Sequence, residues 1–283
     1  MRTAKCQSPK AKCYLVGAHS HSGNQMFARN RPGVRVVRRL LALVALASAS
    51  LAQAQLPAGV TQGPASRQTF HITPLKPVEE LRRVALAAEP PHEEGKRAPD
   101  LVELVKLDPT IHLDIRYASS NNFMGAPFYT QARAFLQRPA AEAVARASAE
   151  LRAQGYGLLV HDAYRPWYVT RMFWDGTPNE SKKFVANPRK GSKHNRGCAV
   201  DITLYDMKTG DEVEMPSGYD EMSPRAYADY SGGTDEQRRR RGLLRAAMEE
   251  QGFAVNPDEW WHFDFKDWNQ YPILNVRFED LGK

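Results

Sequence analysis

Three stretches of this chain carry side chains that could hold a metal and move a proton. The first is Ser192-Lys193-His194-Asn195-Arg196-Gly197-Cys198-Ala199-Val200-Asp201, in which an imidazole and a carboxylate lie seven residues apart. Gly197 offers a turn, and Cys198 to Tyr205 reads as a buried strand that carries Asp201. Carboxylates are rare inside apolar strands unless they are paired or bound to a cation. His194 and Asp201 are therefore candidate metal ligands, against the plainer reading of a satisfied core Asp and a surface His. The second stretch, Glu259-Trp260-Trp261-His262-Phe263-Asp264-Phe265, supplies a third candidate ligand in His262. Two imidazoles and one carboxylate suit a tetrahedral zinc site, one ion per chain, with the fourth position open. Glu259 is the candidate general base. In a fully extended strand Glu259 and His262 would face opposite sides, so the reading requires a turn or bulge at the strand entry. The third stretch is His161-Asp162-Ala163-Tyr164-Arg165-Pro166. Arg165 follows a buried strand and is placed to stabilise an oxyanion, or else to pair structurally with Asp162.

These residues need elements to carry them. Leu101–Lys106 and Ile111–Tyr117 read as strands, the second by alternation of Ile111, Leu113 and Ile115 with polar residues. Pro139–Gln154 is alanine-rich, with Pro139 at its start and Gly155 at its end, and predicts a helix. Leu158-Leu159-Val160 reads as a short buried strand, followed by a helix from Trp167 to about Trp174 and a basic loop over 181–193. Glu212–Glu214 is a candidate hairpin partner of the Asp201 strand, across the Lys208-Thr209-Gly210 turn. Thr234–Gly252 predicts a helix capped by Thr234. Trp260–Phe265 reads as a strand and Ile273–Phe278 as a further candidate. Strands and helices mix without a regular βαβ rhythm, which predicts an α+β fold.

The N-terminal third differs in kind. Nine of the 39 Lys and Arg fall in residues 1–54, which hold no Asp or Glu; residues 55–283 thus carry 30 basic against 32 acidic side chains. The formal charge of +7 belongs to the leader, and no nucleic-acid partner is inferred from it. Arg35, Arg38 and Arg39 precede the apolar run Leu40–Leu51 and an Ala52-Gln53-Ala54 cleavage pattern. Residues 1–54 read as a signal-peptide region cleaved near Ala54, with Met26 an alternative start. The run is short for a membrane span, and no Cys follows it, so no stable membrane anchor is expected. Cleavage would leave Cys198 as the single cysteine, open to reading as a ligand, a nucleophile or a small packing residue. Residues 55–100, rich in Pro, Ala and charge, read as a loosely packed arm with a short helix near Val78–Ala87, and 101–283 as the folded domain.

Over about 101–265 the chain resembles the zinc D-alanyl-D-alanine dipeptidases of the VanX type, within the wider group of zinc D,D-peptidases. The resemblance rests on Asp114-Ile115-Arg116-Tyr117-Ala118 with Asn122-Phe123-Met124-Gly125, and on Gly155-Tyr156-Gly157-Leu158-Leu159 with Asp162-Ala163-Tyr164-Arg165-Pro166. It also rests on Ser192-x-His194-x-x-Gly197-x-Ala199-x-Asp201, on Tyr219-Asp220-Glu221-Met222 and on Glu259-Trp260-Trp261-His262. It implies a single hedgehog-like domain with a central antiparallel sheet flanked by helices. It makes His194, Asp201 and His262 zinc ligands, Glu259 the base and Arg165 the transition-state stabiliser. Tyr117 and Asp220 match positions that hold the amino end of a dipeptide, and Ser192 a substrate-contacting serine. Lys193 departs from the pattern, where a small polar residue is expected. It is left to pair with a substrate carboxylate or to face solvent. The implied activity is hydrolysis of D-alanyl-D-alanine in the periplasm, linked to peptidoglycan turnover, with a small dipeptide as partner. A carboxypeptidase acting on longer stem peptides and a zinc-stabilised binding module are the rival expectations.

Overall fold

The computed structural model describes residues 70–282. The expected signal-peptide region and the first part of the 55–100 arm lie outside the described residues. The helices are α1 (Val78–Leu86), α2 (Leu104–Leu107), α3 (Arg138–Arg152), α4 (Trp167–Gly176) and α5 (Asp235–Glu250). The strands are β1 (Leu101–Glu103), β2 (His112–Leu113), β3 (Phe135–Gln137), β4 (Tyr156–Asp162), β5 (Ala199–Asp206), β6 (Phe253–Asn256) and β7 (Glu259–Phe265). Five strands form one sheet in the order β2-β4-β5-β7-β6, while β1 and β3 pair separately. The fold is α+β, as expected, but the sheet is mixed rather than purely antiparallel. Edge strand β2 runs parallel to β4, and the other pairings are antiparallel. A parallel neighbour needs a long crossover. Here the crossover runs through β3 and α3.

Side-chain alternation separates the core from the cleft. On β5, Val200, Ile202 and Leu204 are fully buried in the apolar core. Successive strand residues point to opposite faces, so Asp201 projects away from that core. Helices α3 and α5 pack on the sheet and on each other. Helix α3 buries Ala140, Val144, Ala147 and Leu151, the i, i+4, i+7, i+11 stripe of an amphipathic helix. Helix α5 starts with a capping box: Thr234 Oγ1 accepts from the Gln237 N–H while the Gln237 side chain accepts from the Thr234 N–H.

Several expected elements take another form. Residues 70–100, expected as a loosely packed arm, are docked on the domain. Helix α1 buries Leu81 and Ala85 and lies against α4, and the Leu75 N–H donates to the Gly176 carbonyl. Glu93 then makes a forked pair with Arg196, at 2.8 and 2.9 Å. Leu101–Lys106 is strand only to Glu103 before one turn of helix. Ile111–Tyr117 keeps β structure only at His112–Leu113 and then coils into a 3-10 turn over Arg116–Ala118. That turn lets the Tyr117 carbonyl accept from the N–H groups of both Phe128 and Tyr129. Residues 273–278 form no strand, because their polar groups go to the first turn of α4 and to the His194–Arg196 turn instead. The Leu274 N–H donates to the Asn195 carbonyl, the Leu274 carbonyl accepts from Trp167, and the Asn275 side chain accepts from the Tyr168 N–H. Glu212–Glu214 contributes one isolated bridge to Tyr205. Among the described residues no helix is long and apolar enough to cross a membrane.

Candidate metal centre

Strand register assembles the centre. Asp201 on β5 is the direct cross-strand partner of His262 on β7 and, on its other side, of Asp162 on β4. Partners in register share a face, so three strands carry Asp162, Asp201 and His262 in a row. His194 reaches the row from a 3-10 turn, His194–Arg196, immediately before β5. That turn ends at Gly197 with φ of 65°, in the left-handed region. A Cβ at Gly197 would meet only the movable Cδ2 of Leu101 at 2.5 Å, so it is the left-handed φ that favours glycine here.

The ligand atoms of His194, Asp201 and His262 all lie within 4.8 Å of one another, and all three residues are buried. Each ring has its remote nitrogen engaged. His194 Nδ1 lies 2.7 Å from the Ala163 carbonyl, and His262 Nε2 lies 2.9 Å from Asp264 Oδ1. An N–H must face each of those acceptors, which fixes the tautomers and turns a lone pair inward on each ring. His194 Nε2 and His262 Nδ1 meet at 3.1 Å, and Asp201 Oδ1 stands 3.0 Å from His262 Nδ1 and 3.3 Å from His194 Nε2. Three lone-pair donors thus converge, and a divalent cation fits that donor set. Proton and cation compete for the same lone pair on His262. Burial disfavours its charged form, but hydrogen bonds to Asp201 and Asp264 outweigh this and raise its pKa well above the ordinary imidazole range.

Asp201 is held at both oxygens. Oδ1 faces the imidazoles, and Oδ2 accepts from the Tyr219 hydroxyl at 2.9 Å. Burial would raise its pKa, yet His194 and His262 pull it well below the usual carboxylate range. Glu259 opens β7, where the pairing with β6 shifts register between Val255 and Asn256 and sets Asn256 opposite Glu259. This is the irregularity that the sequence reading required. It brings Glu259 Oε2 to 3.7 Å from His262 Nδ1, with Asn256 Nδ2 donating to it at 3.0 Å. Burial, with Asp201 nearby, raises the Glu259 pKa, which suits a group that must accept and return a proton.

Of the two readings offered for Arg165, the structure shows the pairing with Asp162. Its Nε and Nη2 donate to Asp162 Oδ2 at 2.9 and 2.8 Å, while Tyr129 donates to Asp162 Oδ1 at 2.7 Å. So held, the guanidinium lies over the Tyr117 ring and brings Nη2 to 3.8 Å from Asp201 Oδ2. The pair with Asp162 thus aims Arg165 into the cleft. Opposite, Asp220 accepts from the Tyr117 hydroxyl at 2.9 Å. Asp220 has φ of 56°, a left-handed conformation costly for most residues but tolerated by Asp. Burial and the nearby Asp201 push its carboxyl well above the usual range. Ser192 lines the same cleft, and its Oγ accepts from the His194 N–H at 3.2 Å. All eight residues singled out by the sequence line one cavity of about 370 Å3.

Lys193, partly exposed at the cleft, is engaged by a carboxylate of the protein itself. Its Nζ lies 2.6 Å from Asp264 Oδ2, above the Trp268 ring. Cys198 is fully buried, and burial pushes its thiol up to about 12, so it packs rather than ligates. Sequence reasoning assigned no role to Asp264, Tyr219 or Tyr129. A signal for Asp264 was present, since it follows His262 by two residues on one strand and shares its face.

The family described as D-ala-D-ala dipeptidase, peptidase M15, matches residues 97–281. The D-alanyl-D-alanine dipeptidase of Escherichia coli (strain K12) is 35% identical over 179 residues, spanning 63% of this chain and 91% of that protein. The D-alanyl-D-alanine dipeptidase of Enterococcus faecium is 34% identical over 190 residues, spanning 59% and 92%. The solved LdcB LD-carboxypeptidase overlaps 46% of this chain and 59% of its own, at 19% identity and a TM-score of 0.33. With the match covering nearly all of the described domain, the chain belongs to the D-ala-D-ala dipeptidase family and is a hydrolytic metallopeptidase.

Proposed function

We propose that this protein is a zinc-dependent dipeptidase that cleaves D-alanyl-D-alanine after export. The observation that carries the reading is the convergence of the His194, His262 and Asp201 lone pairs beside Glu259. When bound there, zinc would supply Lewis acidity and acidify water at neutral pH. Glu259 takes a proton from the attacking water and delivers it to the leaving amine. Its raised pKa makes the first of these transfers easier. Arg165, aimed by Asp162, donates to the oxygen on which negative charge develops. Asp220 and Tyr117, which line the same cleft, bind the substrate ammonium as opposite charge and a hydroxyl acceptor. An ammonium there would also draw the Asp220 carboxyl back toward its ionised form. Binding the free amino end in this way favours a dipeptide over an acylated stem peptide.

The signal-like residues 1–54 support a periplasmic location, and a periplasmic D-alanyl-D-alanine dipeptidase serves peptidoglycan turnover or scavenging of released dipeptide. The deciding assay compares D-alanyl-D-alanine with an N-acylated tripeptide ending in the same pair, with and without a chelator. Chelator-sensitive cleavage of the dipeptide alone is expected. Cleavage of the tripeptide alone would replace this reading with a carboxypeptidase, and cleavage of neither would leave a binding module. Fractionation of cells producing the full chain tests export, with the processed form expected in the periplasmic fraction.

A further inference from the structure

We infer that Lys193 and Asp264 act together as a clamp that sets the two imidazoles of the metal centre. The inference rests on the metal reading of His194 and His262 and names positioning residues that this reading leaves out. Asp264 bridges the two partners. Its Oδ1 takes the N–H of His262 Nε2 at 2.9 Å, and its Oδ2 takes Lys193 Nζ at 2.6 Å. Both contacts are charge-assisted and short, the strong class of hydrogen bond. Lys193 immediately precedes His194, and Asp264 follows His262 by two residues on β7. One ion pair therefore ties the turn that carries the first imidazole to the strand that carries the second. The Lys193 carbonyl reinforces the turn by accepting from the N–H groups of both Arg196 and Cys198, each at 3.1 Å.

The chemistry of each partner fits the task. A carboxylate on the remote nitrogen of a metal-binding histidine fixes the tautomer, holds the ring plane and makes the inward nitrogen more basic. A carboxylate alone would add negative charge to a cleft that already holds Asp201, Asp220 and Glu259. Lys193 cancels that charge and leaves the acceptor in place. Trp268, with its ring centroid 5.3 Å from Nζ, gives the ammonium a second favourable contact. Lys193 is thereby committed to Asp264, and the substrate carboxylate falls to other groups of the cleft, with the exposed Lys183 and Lys190 on its wall.

The test measures zinc affinity by competition with a chromophoric chelator, alongside KM for D-alanyl-D-alanine. Asp264→Ala and Lys193→Ala are each expected to weaken zinc about 10- to 100-fold. Lys193→Arg, which keeps the cation, is expected to recover most of that loss, and Asp264→Asn, which keeps an oxygen for the His262 N–H but sets an amide N–H against Lys193 Nζ, only part of it. These two conservative variants also separate positioning from misfolding. The double variant Lys193→Asp with Asp264→Lys restores an ion pair but presents an ammonium to His262 Nε2, so zinc should stay weak. Wild-type zinc affinity in that swapped protein would overturn the inference, since an ion pair of either polarity would then suffice. So would a Lys193→Ala protein with unchanged zinc affinity and a raised KM, which would make Lys193 a substrate anchor. A wild-type protein that takes up no zinc would overturn the underlying metal reading, and the inference with it.

Discussion

Two well-buried carboxylate environments in this domain meet opposite electrostatic fates. Asp108, beside α2, is only 7% exposed, and its oxygens are supplied with donors. Its Oδ1 takes the Thr110 N–H and hydroxyl, at 3.0 and 2.6 Å, and its Oδ2 takes Arg152 Nη1 at 2.6 Å. Burial alone would raise its pKa, but hydrogen bonds from Thr110, Ser148 and Arg152 lower it from an ordinary 3.8 to about 2. In the cleft, Asp201, Asp220 and Glu259 share one cavity, and burial with mutual repulsion pushes the latter two upward. A fully satisfied carboxylate stabilises a fold. A crowded set with inward lone pairs is left needing a cation and a proton, which is the condition for chemistry.

Breaking the cleft should cost activity long before stability. Glu259→Ala is expected to lower kcat by about 100- to 10,000-fold while zinc content, measured by elemental analysis, stays at one per chain. Near-wild-type turnover would remove Glu259 as the base. Chelation probes the cation deficit directly. Zinc at 100-fold above its dissociation constant adds about 2.7 kcal/mol, so stripping it should lower the melting temperature by about 5–10 °C as well as silence the enzyme. A melting temperature indifferent to chelator would show that the lone pairs of His194 and His262 hold no metal in solution. Asp220→Asn should raise KM for D-alanyl-D-alanine about 10- to 100-fold, the loss of one charged hydrogen bond worth about 1.5–3 kcal/mol. A des-amino analogue of the substrate should bind both proteins alike, and a KM unchanged for the dipeptide would move the ammonium site elsewhere.

The smallest effect is expected at the satisfied site. Asp108→Asn should destabilise the domain by about 1 kcal/mol in urea melts, with KM unchanged. Because the folded pKa is the lower one, the Asp108 contribution is present above about pH 3.8 and is lost as pH falls through about 2. Wild type and Asp108→Asn should therefore converge in stability at the acid end of that window. A gap that instead widened toward low pH would contradict the pairing with Thr110 and Arg152.

Much of the candidate site is legible in the sequence, and the reason differs by residue. Asp201 and His262 stood out because charged or polar side chains in apolar strands need partners, and His194 because it lies seven residues upstream of Asp201. Helices α3 and α5 were legible because Pro139, Gly155 and Thr234 act through local backbone chemistry. The docked course of residues 70–100 was not legible, since Pro-rich composition looks alike whether a segment is tethered or packed. Nor was the parallel placement of β2, which depends on where α3 returns the chain. For residues 273–278, apolar content suggested a strand, but the hydrogen-bond partners lie on Asn195, Trp167 and Tyr168, far away in sequence.

By itself the sequence determined which side chains were available and which local turns could present them: the glycine turn before β5, the His262–Asp264 alternation and the caps of the helices. Those depend on a residue and its near neighbours. Only the tertiary structure decided that Asp162, Asp201 and His262 share one row, that a register shift turns Glu259 inward, and that Lys193 pairs with Asp264. Those facts depend on strand register and on contacts between residues as many as 71 positions apart. Such contacts are set by how whole elements pack, and no short window of sequence contains them.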